Sequence, residues 1–214
     1  MCRGVPNLNT FQRSREAGEP RSLALQTGVV SRAAGSCFLE MGRTKVMVAC
    51  YGPEEAARAG TFSDMGVLEC HITRAPFAEQ KRATLQETDA DRGLRRDLDA
   101  MIKPAILLEK YPKSTIALQA TILEDDGGVL PALVMASSTA LVEAGIELRD
   151  IVTAIAGDAR MVLALMPSVG EVCGLLHDGK MQLKAQTAAT HTLLEAAANY
   201  GSALRSTLLE HASA

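Results

Sequence analysis

The stretch Gly35-Ser36-Cys37-Phe38-Leu39-Glu40-Met41-Gly42-Arg43-Thr44-Lys45-Val46-Met47-Val48-Ala49-Cys50 decides how the rest of the chain is read. Residues 37–40 and 45–50 are two short, mainly apolar runs on either side of Met41-Gly42-Arg43-Thr44. Gly42 offers a residue that takes positive φ without steric cost, so the pattern predicts two antiparallel strands joined as a hairpin. Tyr51-Gly52-Pro53 is expected to end the second strand, because proline cannot donate to a ladder and glycine weakens it.

Upstream of the hairpin, residues 1–21 hold Gly4, Pro6, Gly18, Pro20, two Asn and four Arg without sustained periodicity, which reads as a flexible arm. A single domain is expected over residues 22–214. Downstream, residues 54–65 read as a loop and Val67-Leu68-Glu69-Cys70-His71-Ile72 as a third strand. Leu94, Leu98, Met101, Ile102, Ala105 and Leu108 share one helix face, and Pro104 should break that helix. From Thr115 to Glu124, Ile116, Leu118, Ala120 and Ile122 alternate as a strand does. The turn Asp125-Asp126-Gly127-Gly128 leads to a helix over 132–144 that is apolar or small on nearly every side, hence central, with Gly145 as its cap. Three further strands are expected over 151–155, 161–166 and 171–176, and a long helix over 183–210. Strands, helix, strand, helix, strands, helix: the order describes an α+β or α/β domain.

Composition bounds the function classes. The 214 residues are 47% hydrophobic, enough for one domain that buries roughly 70% of its unfolded surface. Aromatics are 3% and Trp is absent, so the core falls to Leu, Ile, Val, Met and Ala. Net charge is −3, so contact with nucleic acid requires a local basic patch or a larger assembly. The cysteines Cys2, Cys37, Cys50, Cys70 and Cys173 are odd in number and never form a CxxC pair, which points to free thiols in a reducing compartment. No run of eighteen apolar residues and no signal-peptide pattern occurs, so no membrane association is expected.

Two places invite chemistry. The Asp125–Gly128 turn joins a strand end to a helix N-terminus, where backbone N–H groups and the helix dipole favour phosphate. The positions that should then donate hold Val129, Leu130 and Pro131, so the alternative reading, an acidic turn capping a core helix, competes strongly. The second place is the basic cluster Arg74, Lys81, Arg82, Arg92, Arg95 and Arg96. Its six cations against Glu79, Glu87, Asp89 and Asp91 leave a local +2 suited to a phosphodiester backbone. No interleaved aromatics suggest base stacking, and an ordinary solvated helix start explains the cluster equally well. His71, His177, His191 and His211 lack metal-ligand spacing, His177-Asp178 reads as a hairpin turn, and Ser36, Ser137 and Ser138 have no nucleophile context. Glu40 and Glu69 read as strand residues near the sheet surface.

The segment Gly35–Val46, followed by Tyr51-Gly52-Pro53, resembles the ribonuclease PH family, whose first hairpin has the pattern small-Gly-Ser-x-x-x-Glu-x-Gly-x-Thr-Lys-Val. The likeness continues in family order through Arg74-Ala75-Pro76-Phe77-Ala78, Leu123-Glu124-Asp125-Asp126-Gly127-Gly128, Glu143-Ala144-Gly145-Ile146 and Ala164-Leu165-Met166-Pro167. Arg74–Ala78 and Lys110-Tyr111-Pro112 are most similar to the exosome ring branch called messenger RNA transport regulator three.

The resemblance implies a ribonuclease PH-like fold of the ribosomal protein S5 domain 2 type, a mixed sheet with packed helices. It also implies pairing with a related ribonuclease PH-like subunit in a six-membered exosome ring around an RNA channel. RNA-binding cap subunits, and a nuclear, nucleolar and cytoplasmic location, go with that ring. Active members cradle phosphate in a Gly-Ser/Thr-Arg step after the Gly-Gly turn; here the step is Gly128-Val129-Leu130. They also carry a metal-binding Asp where this chain has Arg160, which reverses the charge. A further strand and acidic turn usual in the family are absent, and the chain passes directly from Gly157 through Asp158-Ala159-Arg160 to Met161. The expectation is a non-catalytic, RNA-facing ring subunit without a cofactor. An active phosphate-dependent exoribonuclease is the alternative, and a small-molecule α/β enzyme finds no supporting residues.

Overall fold

The hairpin is the middle of a five-stranded sheet. In the computed structural model, which describes residues 21–55, 64–78, 88–157 and 161–212, β2 (Gly35–Met41) turns through Gly42 and Arg43 into β3 (Thr44–Glu55). Gly42 has φ 65°, the left-handed conformation that a two-residue hairpin turn demands. Cys37, Leu39 and Met41 on β2, with Val46, Val48 and Cys50 on β3, are buried, as alternation requires. β1 (Leu23–Thr27) extends the sheet beyond β2, and β5 (Ser114–Glu124) pairs with β3. β4 (Val67–Arg74) lies parallel to β5 at the far edge, so the strand order is β1-β2-β3-β5-β4 and the sheet is mixed.

A parallel pair needs a crossover, and α1 (Asp89–Ile102) supplies it between β4 and β5. Thr88 caps α1 and exchanges hydrogen bonds with Asp91 in a capping box. The helix gives way to a short 3-10 turn, Lys103–Ala105, at Pro104, as expected of a residue with no N–H to offer. α2 (Val129–Glu143) is the hub: 13 of its 15 residues are buried. It ends where Gly145, at φ 71°, donates its N–H to Val142 O (3.0 Å) and Ile146 donates to Leu141 O (3.1 Å).

The second sheet is antiparallel, ordered β6 (Thr153–Ala156), β7 (Met161–Met166), β8 (Glu171–His177). β7 is covered on both faces. Ala164 and Met166 join the main core with α2, whereas Met161, Leu163 and Leu165 pack with Leu193 and Ala197 of α3 (Leu183–Ala212). That double burial explains why 161–166 reads as a continuous apolar run; each such Leu contributes about 2 kcal/mol on burial.

The structure corrects two local expectations. β3 does not stop at Pro53 but runs to Glu55, pairing Glu54 with Thr115 and Glu55 with Ser114. A register irregularity between Tyr51 and Glu54, with a cis Gly52–Pro53 peptide, takes the proline out of the ladder. His177 closes β8 and Asp178 follows on the way to α3, so the pair is not a hairpin turn. The arm at 1–20, Lys81, Arg82 and Arg160 lie outside the described residues.

Candidate functional site

The Gly-Gly turn sits between the end of β5 and the first turn of α2, with Gly127 and Gly128 both left-handed (φ 84° and 71°). Its polar groups are directed at the protein itself. Asp125 N–H donates to Ala78 O (3.1 Å), Asp126 N–H to Thr44 Oγ1 (3.3 Å) and Gly127 N–H to Asp125 Oδ1 (3.0 Å). Thr44 Oγ1, fully buried, donates in turn to Gly127 O (2.7 Å). Arg21 lies over the turn and donates to Gly127 O (2.5 Å) and Asp126 O (3.5 Å). The first helical turn that follows offers Val129, Leu130 and Pro131, all buried and none with a side-chain donor. The N–H groups of Asp125, Asp126 and Gly127 are thereby occupied, and two acidic side chains stand beside them. The geometry is that of a hairpin tip locked onto a helix start.

Arg74, at the end of β4, belongs to the same corner. Its Nε lies 3.2 Å from Asp91 Oδ1 and its Nη1 2.6 Å from Asp125 Oδ2. Burial alone would lower the guanidinium pKa, but the hydrogen bonds it donates to Asp125 and Asp91 carry it above its ordinary value. Burial would likewise raise the Asp91 carboxyl; hydrogen bonds from Thr88 and Arg74 hold it below the usual carboxylate range. With its side chain only 15% exposed, Arg74 is an internal tie among β4, α1 and the Gly-Gly turn, not a surface contact for RNA.

The remaining cluster divides. Arg92 is exposed and 3.0 Å from Asp89, Arg96 is exposed, and Arg95 is half-buried beside Cys70. α1 carries three Arg and four Asp, so the cations form a local stripe on a helix with no net positive charge. The buried thiols of Cys37, Cys50 and Cys70 are pushed up to about 12 by desolvation and Cys173 to about 11, so none is a nucleophile near neutral pH. Ser138 Oγ accepts from Val152 N–H (2.8 Å), and Ser36 Oγ accepts from Val30 N–H (2.9 Å). Both serines serve the fold.

Residues 19–147 match the model described as the 3′ exoribonuclease family, domain 1, known as RNase PH. The chain belongs to this family. It is 31% identical to "Exosome complex component RRP41-like" of Arabidopsis thaliana, over 91% of this chain and 82% of that protein. It is also 31% identical to "Exosome complex component MTR3" of Homo sapiens, over 78% of this chain and 74% of that protein. Its fold matches rice (Oryza sativa) Rrp46 with a TM-score of 0.80 at 21% identity, covering 91% of this chain and 98% of that one. An archaeal exosome core chain matches with a TM-score of 0.71 at 17% identity, covering 89% of each.

Within the RNase PH family the resemblance assigns phosphate to the step after the Gly-Gly turn, the place where this chain presents buried Val129 and Leu130. The metal position falls on Arg160 in the sequence, and among the described residues no three His, Cys, Asp or Glu side chains gather around one point. One feature of the RNase PH corner escaped the sequence reading. Phe77, inside the basic cluster between Arg74 and Lys81, is 72% exposed. The aromatic was legible there; its exposure was not, because apolar residues after a strand usually fold inward.

Proposed function

We propose that this chain is a catalytically silent ring subunit of an exosome-type assembly, paired with other ribonuclease PH-like subunits beneath RNA-binding cap subunits. The observation that carries the reading is the Gly-Gly turn and the helix start behind it: the N–H groups of Asp125, Asp126 and Gly127 are bonded to Ala78, Thr44 and Asp125, and the first turn of α2 offers neither a hydroxyl nor a guanidinium. Phosphoryl transfer depends on positioned positive charge at the reacting phosphate, and the first turn of α2 supplies none. The relatives named as exosome components support the ring assignment. Arg92 and Arg96, with Lys81 and Arg82 of the same sequence cluster, are the cations proposed to flank an RNA path, and Arg74 drops out of that set. RNA processing and degradation in the nucleus, nucleolus and cytoplasm, rRNA processing included, is the setting this role implies.

The test is capture of the native complex through this chain, followed by an assay for phosphate-dependent release of nucleoside diphosphates from an RNA 3′ end by the purified chain. Several distinct RNase PH relatives in the complex, with no release by the chain alone, is the expected result. A homo-oligomer that releases nucleoside diphosphates would overturn the proposal and establish an active exoribonuclease.

A further inference from the structure

We infer that the outer edge of β8 pairs with an edge strand of a neighbouring ribonuclease PH-like subunit; the inference deepens the proposed ring pairing by naming its contact, and rests on it. The second sheet is ordered β6-β7-β8, so β8 has a strand on one side only. Ladder alternation tells which of its groups face outward. Gly157 N–H donates to Met161 O (2.8 Å), which marks a hydrogen-bonded pair and directs the backbone groups of Leu163, two residues on, towards β6. Val162 and Ala164 therefore bond to β8, through Leu176 and Gly174. The N–H and C=O groups of Leu175 and His177, opposite Leu163 and Met161, point away from the sheet. Among the described residues no backbone bond engages them.

The side chains describe a strand left uncovered. Val172 and Leu175 lie opposite Leu165 and Leu163, on the face that packs against α3, yet they are 48% and 43% exposed because α3 covers β6 and β7. Val169, in the turn that leads into β8, is 50% exposed. Free edges are normally blunted by charged side chains, Pro or bulges. β4, an edge of the larger sheet, carries Glu69, His71 and Arg74. From Val172 to Leu176, β8 has no charged residue and no Pro. Its one irregularity, opposite Ala164/Leu165, leaves Gly174–His177 in regular register. A row of outward backbone donors and acceptors specifies an extended strand as the occupant. Symmetry specifies whose. Subunits of one fold that pair about a two-fold axis present the same element from both sides, and two such edges meet antiparallel. The fold match to rice Rrp46, with a TM-score of 0.80 over 98% of that chain, shows that a relative shares the frame that carries this edge.

Hydrogen exchange over residues 171–177 is measured in the native complex captured through the full chain and in the purified chain alone. The amides of Leu175 and His177 are expected to exchange at least about tenfold more slowly in the complex. Two variants act on the edge itself. Leu175→Lys sets a charge on it, and Leu175→Pro removes an outward N–H while leaving the bonds to β7 in place. Each should lower recovery of RNase PH relatives by about tenfold, whereas Val67→Lys on β4 should recover them as the parent does. If the Leu175 variants fail to fold, exchange in the unaltered complex decides alone. Relatives recovered with the parent, but residues 171–177 exchanging as fast in the complex as in the free chain, would overturn the edge proposal and leave the ring reading standing. Equal loss in Val67→Lys would remove the assignment to β8. A parent chain that captures no relatives sinks both. Slow exchange already present in the purified chain, together with a doubled mass, would assign the edge to a second copy and also overturn the proposal.

Discussion

Arg74 joins two carboxylates that lie 17 and 51 residues away in sequence, and that distance is why its role could not be read from the cluster it sits in. Counted along the chain it is one of six cations; in the fold its charge is neutralised by Asp91 and Asp125. Arg74→Ala should destabilise the protein by about 3 kcal/mol in urea unfolding, because Asp91 stays buried without its cation. RNA affinity of the folded variant should not change, which separates this residue from Arg92 and Arg96. The acid side of the same pair sets a pH window. The Asp91 carboxyl is depressed in the folded state, so its stabilisation is complete above the unfolded carboxylate value of about 3.9 and is lost as pH falls through that value and on below it. Arg74, raised above an already high value, does not titrate in any accessible range. Stability of Asp91→Asn measured from pH 7 to pH 3 should therefore fall less steeply than that of the parent, and parallel curves would remove Asp91 from the acid response.

β2, β5 and β7 were legible because each is a local pattern: two runs about a glycine, a period of two, and a run with both faces covered. The extension of β3 past Pro53 was not, since it depends on β5, a partner some sixty residues later that continues pairing after β2 has stopped at Gly35 opposite Cys50. Gly35 shows the same limit from the packing side. The pattern puts the first strand over residues 37–40 and leaves Gly35 ahead of it; only the fold reveals that Gly35 opens β2 and that a Cβ there would stand 2.3 Å from Ala144 N and 2.4 Å from Ala140 O, both backbone atoms at the end of α2. Backbone cannot rotate away as a side chain does. Gly35→Ala should push β2 off α2 and cost about 2 kcal/mol, lowering the thermal midpoint by several degrees. A neutral result would mean that this close approach is not a constraint on how the hairpin seats.

At the scale of the whole molecule, α2 is both the hub of the core and the place where the family's resemblance puts phosphate, and the two demands conflict at Leu130. Its side chain is 8% exposed and belongs to the same core cluster as Met41 of the hairpin. The Gly-Gly turn just ahead of it is fastened by Thr44 from β3, by Asp125 and by the turn that carries Phe77. The sequence signalled the missing hydroxyl and guanidinium through Val129 and Leu130; it gave no sign that the vacated positions had been absorbed into packing. That difference makes a reconstruction informative. Grafting Val129→Ser with Leu130→Arg replaces a buried apolar side chain with a charge that has no carboxylate assigned to receive it, while Asp126 N–H and Gly127 N–H stay engaged and Arg160 stays cationic. The double variant should lose about 3 kcal/mol or more in urea unfolding and release no nucleoside diphosphate from RNA with phosphate present. Release above the parent level would show that the turn opens readily to an anion, and the closed turn could then no longer carry the case for a silent subunit.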